Sequence, residues 1–322
     1  MKLIHINVCF FFTFILIHKK MNSPVTLVLS GGGARGIAHI GVIEELEKRG
    51  YEIVSVAGTS MGALVGGVYA DGAIEPFRDW MLTLDRRKVL SLVDFTLSRQ
   101  GMIKGDRVFN KIKDFIPDTL IENLRIPYAA VAVDLINKKE VVFTEGSLFD
   151  AIRASVSIPS VLTPVKTKNG LLVDGGVMNN IPINHAKRIS GDMLVVVNVN
   201  ASIPVNRPKR SKEEDEKQKK AYQKKIEEFQ LHLQKILPLG HAEKQSHSHE
   251  ERMGYFNLID KTIGLMTDRL AQMSLKNYSP DLLIEVSHDA CGTFDFFKAE
   301  EMLEMGRAAT VRGFENWESE QK

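Results

Sequence analysis

Two cysteines in 322 residues, Cys9 and Cys291, leave no material for a disulfide framework, and their separation excludes a cysteine-based metal site. That usage fits a reducing compartment. Charge of one sign is also lacking: 42 Lys and Arg face 40 Asp and Glu, a formal net charge of +2. Nothing in that balance draws the chain toward nucleic acid. No internal repeat is visible, and no Gly-Lys-Ser/Thr follows a glycine-rich loop, which excludes a P-loop. The N-terminal apolar run, residues 3–17, is too short to span a bilayer straight. As a helix it measures roughly 22 Å against a hydrocarbon core of ~30 Å. What is present, 44% hydrophobic and 25% charged residues, describes a globular domain large enough to bury a substantial core.

The N-terminal run "LIHINVCFFFTFILI" lies between Lys2 and the pair Lys19-Lys20. Three readings compete: translation starting at Met21, an uncleaved anchor with the Lys pair on the cytoplasmic side, and a cleaved signal. The first is preferred, and no small-x-small cleavage site supports the third. The expected location is cytoplasmic, peripheral or anchored at the inner face of the membrane. Composition divides the chain into the apolar segment 1–20, a core over 21–204, a charged excursion over 205–252, and a return to the core over 253–322.

Periodicity gives an alternation of strands and helices. "VTLVL" (25–29) is a short unbroken apolar run, as a strand buried on both faces should be. Residues 37–49 carry Ile40, Ile43 and Leu46 at helical spacing, with Gly50 as a stop. "EIVSVA" (52–57) is the next strand, so residues 25–57 form a βαβ unit with parallel strands. Residues 74–123 read as mostly helical, broken by "SRQGMIKGD". Strands are expected at 127–135, 139–146, 170–176 (running into a glycine turn), 192–200 and 281–286, and helices at 148–157, 255–275 and 298–311. The excursion holds nine basic and four acidic residues within 207–225. Behind them Tyr222, Ile226, Phe229, Leu233 and Ile236 mark an amphipathic helix. Residues 207–237 are a candidate peripheral membrane contact, with a solvated, partly disordered excursion as the plain alternative. The fold class is α/β, a central, mostly parallel sheet between helices, which gathers ligands at the carboxyl ends of its strands.

Both glycine-rich loops sit at such ends. Gly58-Thr59-Ser60-Met61-Gly62 is a G-x-S-x-G after a strand and before a small-residue helix, the context of a nucleophile elbow. The plain alternative is an ordinary turn with Ser60 capping the helix. Gly31, Gly32 and Gly33, with Arg35 and Gly36, form "GGGARG". A dinucleotide cradle would want an acidic residue after the second strand, and that place holds Gly58-Thr59-Ser60. An oxyanion hole asks only for backbone N–H groups beside the nucleophile, which uses both loops at once. Arg35 either holds that loop or receives a phosphate headgroup. No histidine sits in a turn built for a catalytic base. His39 should point away from its strand end, and His185 and His288 are weak candidates. Asp174, followed by Gly175 and Gly176 at the end of a strand, can reach the same sheet edge as Ser60. A β-turn Asp-Gly explains it about equally well.

GGGARG, GTSMG and DGG in this order resemble the patatin-like phospholipase family in its short bacterial branch. "GMIKGD" (101–106), "AIRASVSIPSVLTPV" (151–165) and "LLVDGGVMNNIPI" (171–183) extend the resemblance over about residues 24–204, and more loosely over 255–312. It implies a three-layer sandwich similar to a reduced α/β-hydrolase, and a Ser-Asp dyad with Ser60 as nucleophile and Asp174 as base. Gly32, Gly33 and Arg35 face the oxyanion, and no metal or cofactor is used. The implied substrates are the carboxylic esters of phospholipids or lysophospholipids. The rival from another class is a non-catalytic lipid-binding or regulatory protein with the same fold, which a fluorophosphonate probe would fail to label. A nucleotide-binding protein ranks third.

Overall fold

The computed structural model describes residues 23–92, 95–98, 101–103, 105–116, 119–205 and 255–320. The apolar run 3–17 and the basic, amphipathic stretch 207–237 lie outside the described residues. Among the described residues no helix is long and apolar enough to cross a membrane.

The chain opens with β1 (Ser23–Leu29), α1 (Ala38–Lys48), β2 (Tyr51–Thr59) and α2 (Met61–Asp71). Then come α3 (Ile74–Leu82), α4 (Arg86–Leu92), β3 (Phe95–Ser98), β4 (Gly101–Ile103) and α5 (Asp106–Ile112). The middle of the chain supplies β5 (Tyr128–Asp134), β6 (Lys139–Phe143), α6 (Leu148–Ser155), β7 (Ser160–Leu162), β8 (Val165–Lys166) and β9 (Leu171–Asp174). It closes with β10 (Met193–Ala201), α7 (Tyr255–Asn277), β11 (Leu282–Ser287) and α8 (Ala299–Glu320).

Five strands run parallel in the order β11-β10-β1-β2-β5. Strand β1 is central because it is buried on both faces. Val25, Leu27 and Leu29 join the larger core with α1, α2, α6 and α8. Val28 faces the other way, toward Ile181, Ile183 and Ala271 of α7. The alternation along a single strand therefore builds both interfaces of a three-layer α/β sandwich.

At β5 the sheet becomes mixed, and this positions the site. Strand β6 runs antiparallel along one edge of β5, from Ala130 to Asp134. The other edge is shared. Strand β2 pairs in parallel with residues 128–131, and β9 pairs antiparallel with residues 132–134. The two strands thus meet head to head, with Thr59 opposite Val131 and Asp174 opposite Ala132. Two carboxyl ends arrive at neighbouring positions of one strand, although their sequence positions are far apart.

The stretch 74–123, read as mostly helical, also contains an antiparallel hairpin of β3 and β4. Its partner β7 lies more than 50 positions further on, so the pairing that makes these residues strands is invisible to local periodicity.

Candidate active site

Ser60 stands between β2 and α2 with φ 54 and ψ −125, a conformation that side chains rarely adopt. Its hydroxyl makes no capping bond to α2, so the plain capping role is excluded. The sharp turn explains both glycines of the motif. A Cβ on Gly58 would collide with the backbone of Gly62, and one on Gly62 with the carbonyl of Leu29. The Ser60 side chain is buried and is a hydrogen-bond partner of the Asp174 carboxyl.

Asp174 ends β9 and is itself buried. Its Oδ1 accepts the Gly176 N–H at 2.8 Å. Burial pushes its pKa up to about 6, against the pull of the bonds from Ser60 and Gly176. A carboxyl at that value is a far better proton acceptor than an exposed aspartate and is still ionised near neutrality. Gly175 passes so close to the Val131 carbonyl that no side chain fits there, and Gly176 packs against Asn180 and Asp174.

The glycine loop follows β1. Gly31 lies against Ser60, where an added Cβ would stand 3.1 Å from the serine Cβ. Its N–H is already bound to the Asn180 carbonyl at 3.1 Å. Of the three amides expected to face an oxyanion, Gly31 is therefore spent on holding the loop. Among the described residues the N–H groups of Gly32 and Gly33 have no acceptor. The same holds for Met61, the residue after the serine, at the N-terminus of α2. Gly33 has φ +56 and abuts Thr293, so only glycine fits.

Arg35 takes the first of its two expected roles, holding the loop, rather than facing the oxyanion. Its Nε and Nη2 donate to Asn200 Oδ1 at 3.2 and 2.8 Å, and Nη1 donates to the Cys291 carbonyl at 3.1 Å. Asn200 Nδ2 in turn donates to the Gly31 carbonyl at 2.6 Å. The guanidinium thus clamps the loop from the β10 side, away from Ser60, because β10 and β2 flank β1 on opposite edges. A cavity of about 350 Å³ opens on that side, between Arg35, His288, Thr293 and Lys298.

His39 does not point away from the strand end. Its Nε2 lies 2.8 Å from the Ser30 carbonyl, which fixes a proton on that nitrogen. Full burial lowers its pKa to about 4, so it stays neutral. His185 pairs with Glu140 at 2.7 Å, and His288 with Asp289 at 3.1 Å. Among the described residues none of the three bonds to Ser60, and no group of three or more His, Cys, Asp or Glu is gathered as metal ligands would be. Periodicity could not find Asn180, Asn200 or Ser155. The only trace of Asn180 was a polar pair, Asn179-Asn180, embedded in the apolar run after DGG.

The fold and the site define a class: an α/β protein with a serine elbow beside a buried carboxyl and a glycine loop. The patatin-like phospholipase family model matches residues 27–187, and the chain belongs to that family. It is 33% identical over 338 aligned positions to the uncharacterized NTE family protein Rv1063c of Mycobacterium tuberculosis, covering 93% of this chain and 94% of that one. It is also 34% identical over 185 positions to the mouse patatin-like phospholipase domain-containing protein 6, covering 55% of this chain and 14% of that one. The crystal structure of VipD from Legionella pneumophila aligns with 92% of the chain at 14% identity and a TM-score of 0.44, too loose to build on. Membership supports a lipid hydrolase activity in general terms.

Proposed function

We propose that the protein is a serine acyl hydrolase that cleaves the carboxylic esters of phospholipids or lysophospholipids. The single observation that carries this reading is the contact of the Ser60 hydroxyl with a buried carboxyl of raised pKa, at an elbow where the serine does not cap its helix. Ser60 Oγ attacks the ester carbonyl carbon as its proton passes to Asp174. The carbonyl oxygen, now negative, rests on the amides of Gly32 and Gly33. The protonated Asp174 then gives its proton to the leaving alkoxide of the glycerol backbone. Water attacks the acyl-enzyme with Asp174 again taking the proton, which releases the fatty acid and restores the serine. Arg35 acts only by holding the loop.

Purified Ser60→Ala and Asp174→Asn proteins are each expected to lose p-nitrophenyl ester turnover, by on the order of 10⁴-fold or more. Ser60 in the wild type is expected to be labelled by a fluorophosphonate. The base must be ionised, so kcat/KM should rise with pH through about 6, the value to which burial brings Asp174. Turnover retained by either variant removes that residue from the mechanism.

A further inference from the structure

We infer that Ser155, on the last turn of α6, is a positioning residue that holds the nucleophile elbow in register with the acid. Its hydroxyl accepts the Ser60 N–H at 2.9 Å and donates to the Val131 carbonyl at 2.6 Å. This inference rests on the reading of Ser60 and Asp174 as nucleophile and base.

The Ser60 peptide N–H belongs neither to the ladder of β2, which ends at Thr59, nor to α2, which begins at Met61. The strained backbone at Ser60 points it into the interior, where an unbonded donor is costly. Among the described residues Ser155 is its acceptor. The direction of both bonds follows from chemistry. A carbonyl only accepts, so the single Ser155 proton goes to Val131, and a lone pair faces Ser60. Val131 is the residue paired with Thr59, directly before the nucleophile. Ser155 thus ties the elbow to the strand on whose edge β2 and β9 meet. Two residues further on, the Ser157 carbonyl accepts the Asp174 N–H at 2.9 Å. One short segment therefore grips the backbone of both site residues, Ser60 through a side chain and Asp174 through a carbonyl. Ser155 is fully buried, and both hydrogen-bonding functions of its hydroxyl are used there.

A loosened elbow lets the Ser60 hydroxyl drift from the carboxyl, and that hydroxyl is one of the groups holding the Asp174 pKa down. Among the described residues no charged group acts on Asp174; its two hydrogen-bonding partners are the Gly176 N–H, two residues on in its own turn, and the Ser60 hydroxyl, so a shift on loosening the elbow reports the serine.

The test is Ser155→Ala in the full-length protein, assayed on a p-nitrophenyl ester across pH. We expect kcat to fall roughly 10- to 100-fold with KM little changed, as for a misplaced reacting group. The acidic limb of kcat/KM should move to higher pH. Ser155→Cys, which fills similar space with a weaker acceptor, should fall between. Ser147→Ala is the comparison. Ser147 caps α6 by accepting the Asp150 N–H at 3.1 Å, so its loss destabilises the same helix from the far end. It should lower the melting temperature but leave kcat and the acidic limb unchanged. Wild-type kcat and limb in Ser155→Ala, or equal shifts in Ser147→Ala, overturn the inference. A readout independent of turnover separates its failure from failure of the proposed activity. In urea unfolding, Ser155→Ala should cost less in a Ser60→Gly background, where the backbone is free to turn its N–H elsewhere. An unchanged cost overturns the role of Ser155 whether or not the protein hydrolyses esters.

Discussion

Arg35 shows how much of a site is support. Its fork meets Asn200 Oδ1 through two nitrogens and the Cys291 carbonyl through a third. Asn200 passes the constraint to the Gly31 carbonyl, while the Gly31 N–H is held by Asn180. The loop is therefore fixed at Gly31 from both sides, which leaves the next two amides for the oxyanion role proposed above. A lysine would keep the charge but reach only one of these acceptors. Arg35→Lys is expected to lower kcat on the order of 10²-fold with KM unchanged, since the oxyanion role proposed for the loop acts on the transition state rather than on ground-state binding. Steady-state kinetics decide this, and wild-type kcat in the lysine variant would mean that the clamp at Arg35 does not set the rate.

At the scale of elements, the parallel strands were legible because they are short, apolar and followed by helical periodicity, as in Val25–Leu29 and Ala38–Lys48. The two glycine loops were legible for the same reason, since each starts where such a strand stops. What periodicity did not contain was the arrangement at β5. No local pattern says that β9 runs antiparallel and meets β2 end to end on one edge, because each register joins β5 to a strand far off in the chain, as in Thr59 with Val131 and Asp174 with Ala132. Spacing alone therefore left Asp174 undecided between a turn residue and a base. His39 was misplaced because its ring turns back to bond the Ser30 carbonyl, a contact that an amphipathic pattern does not encode. The crossing of α1 and α8 was equally hidden. Gly41 lies against the Leu303 carbonyl and Gly306 against the Ala38 carbonyl, closer than any side chain tolerates. Gly306→Ala forces the helices apart and is expected to destabilise the fold by about 1–3 kcal/mol. The matching observation is a lower urea midpoint with an unchanged m-value.

For the molecule as a whole, two buried groups set opposing dependences on pH. Folding lowers the His39 pKa to about 4, so the unfolded chain binds more protons between there and about 6.5. His39 therefore contributes stability that is fully present above about 6.5 and is lost as pH falls through about 4. Asp174 has the opposite sign. Its pKa is raised to about 6, so the folded state binds more protons, and its contribution is present below about 3.9 and lost as pH rises through 6. Each effect amounts to about 3 kcal/mol. The carboxylates held below their usual range, such as Asp134 and Asp192, act only at lower pH. Between about 4.5 and 6 the slopes of His39 and Asp174 oppose each other, and half-buried Glu285, whose pKa burial also raises, acts in the same sense as Asp174. Asp174→Asn removes one of them. Its urea-derived stability should then climb with pH across this window at up to about 1.4 kcal/mol per pH unit, and near pH 7 it should exceed that of the wild type by about 3 kcal/mol. The substitution expected to abolish turnover should thus also make the protein more stable, because an ionised carboxylate kept in a dry site costs folding energy near neutral pH. Equal stability of the two proteins at pH 7 would mean that Asp174 is hydrated in solution and lacks the raised pKa on which its role as a proton acceptor depends.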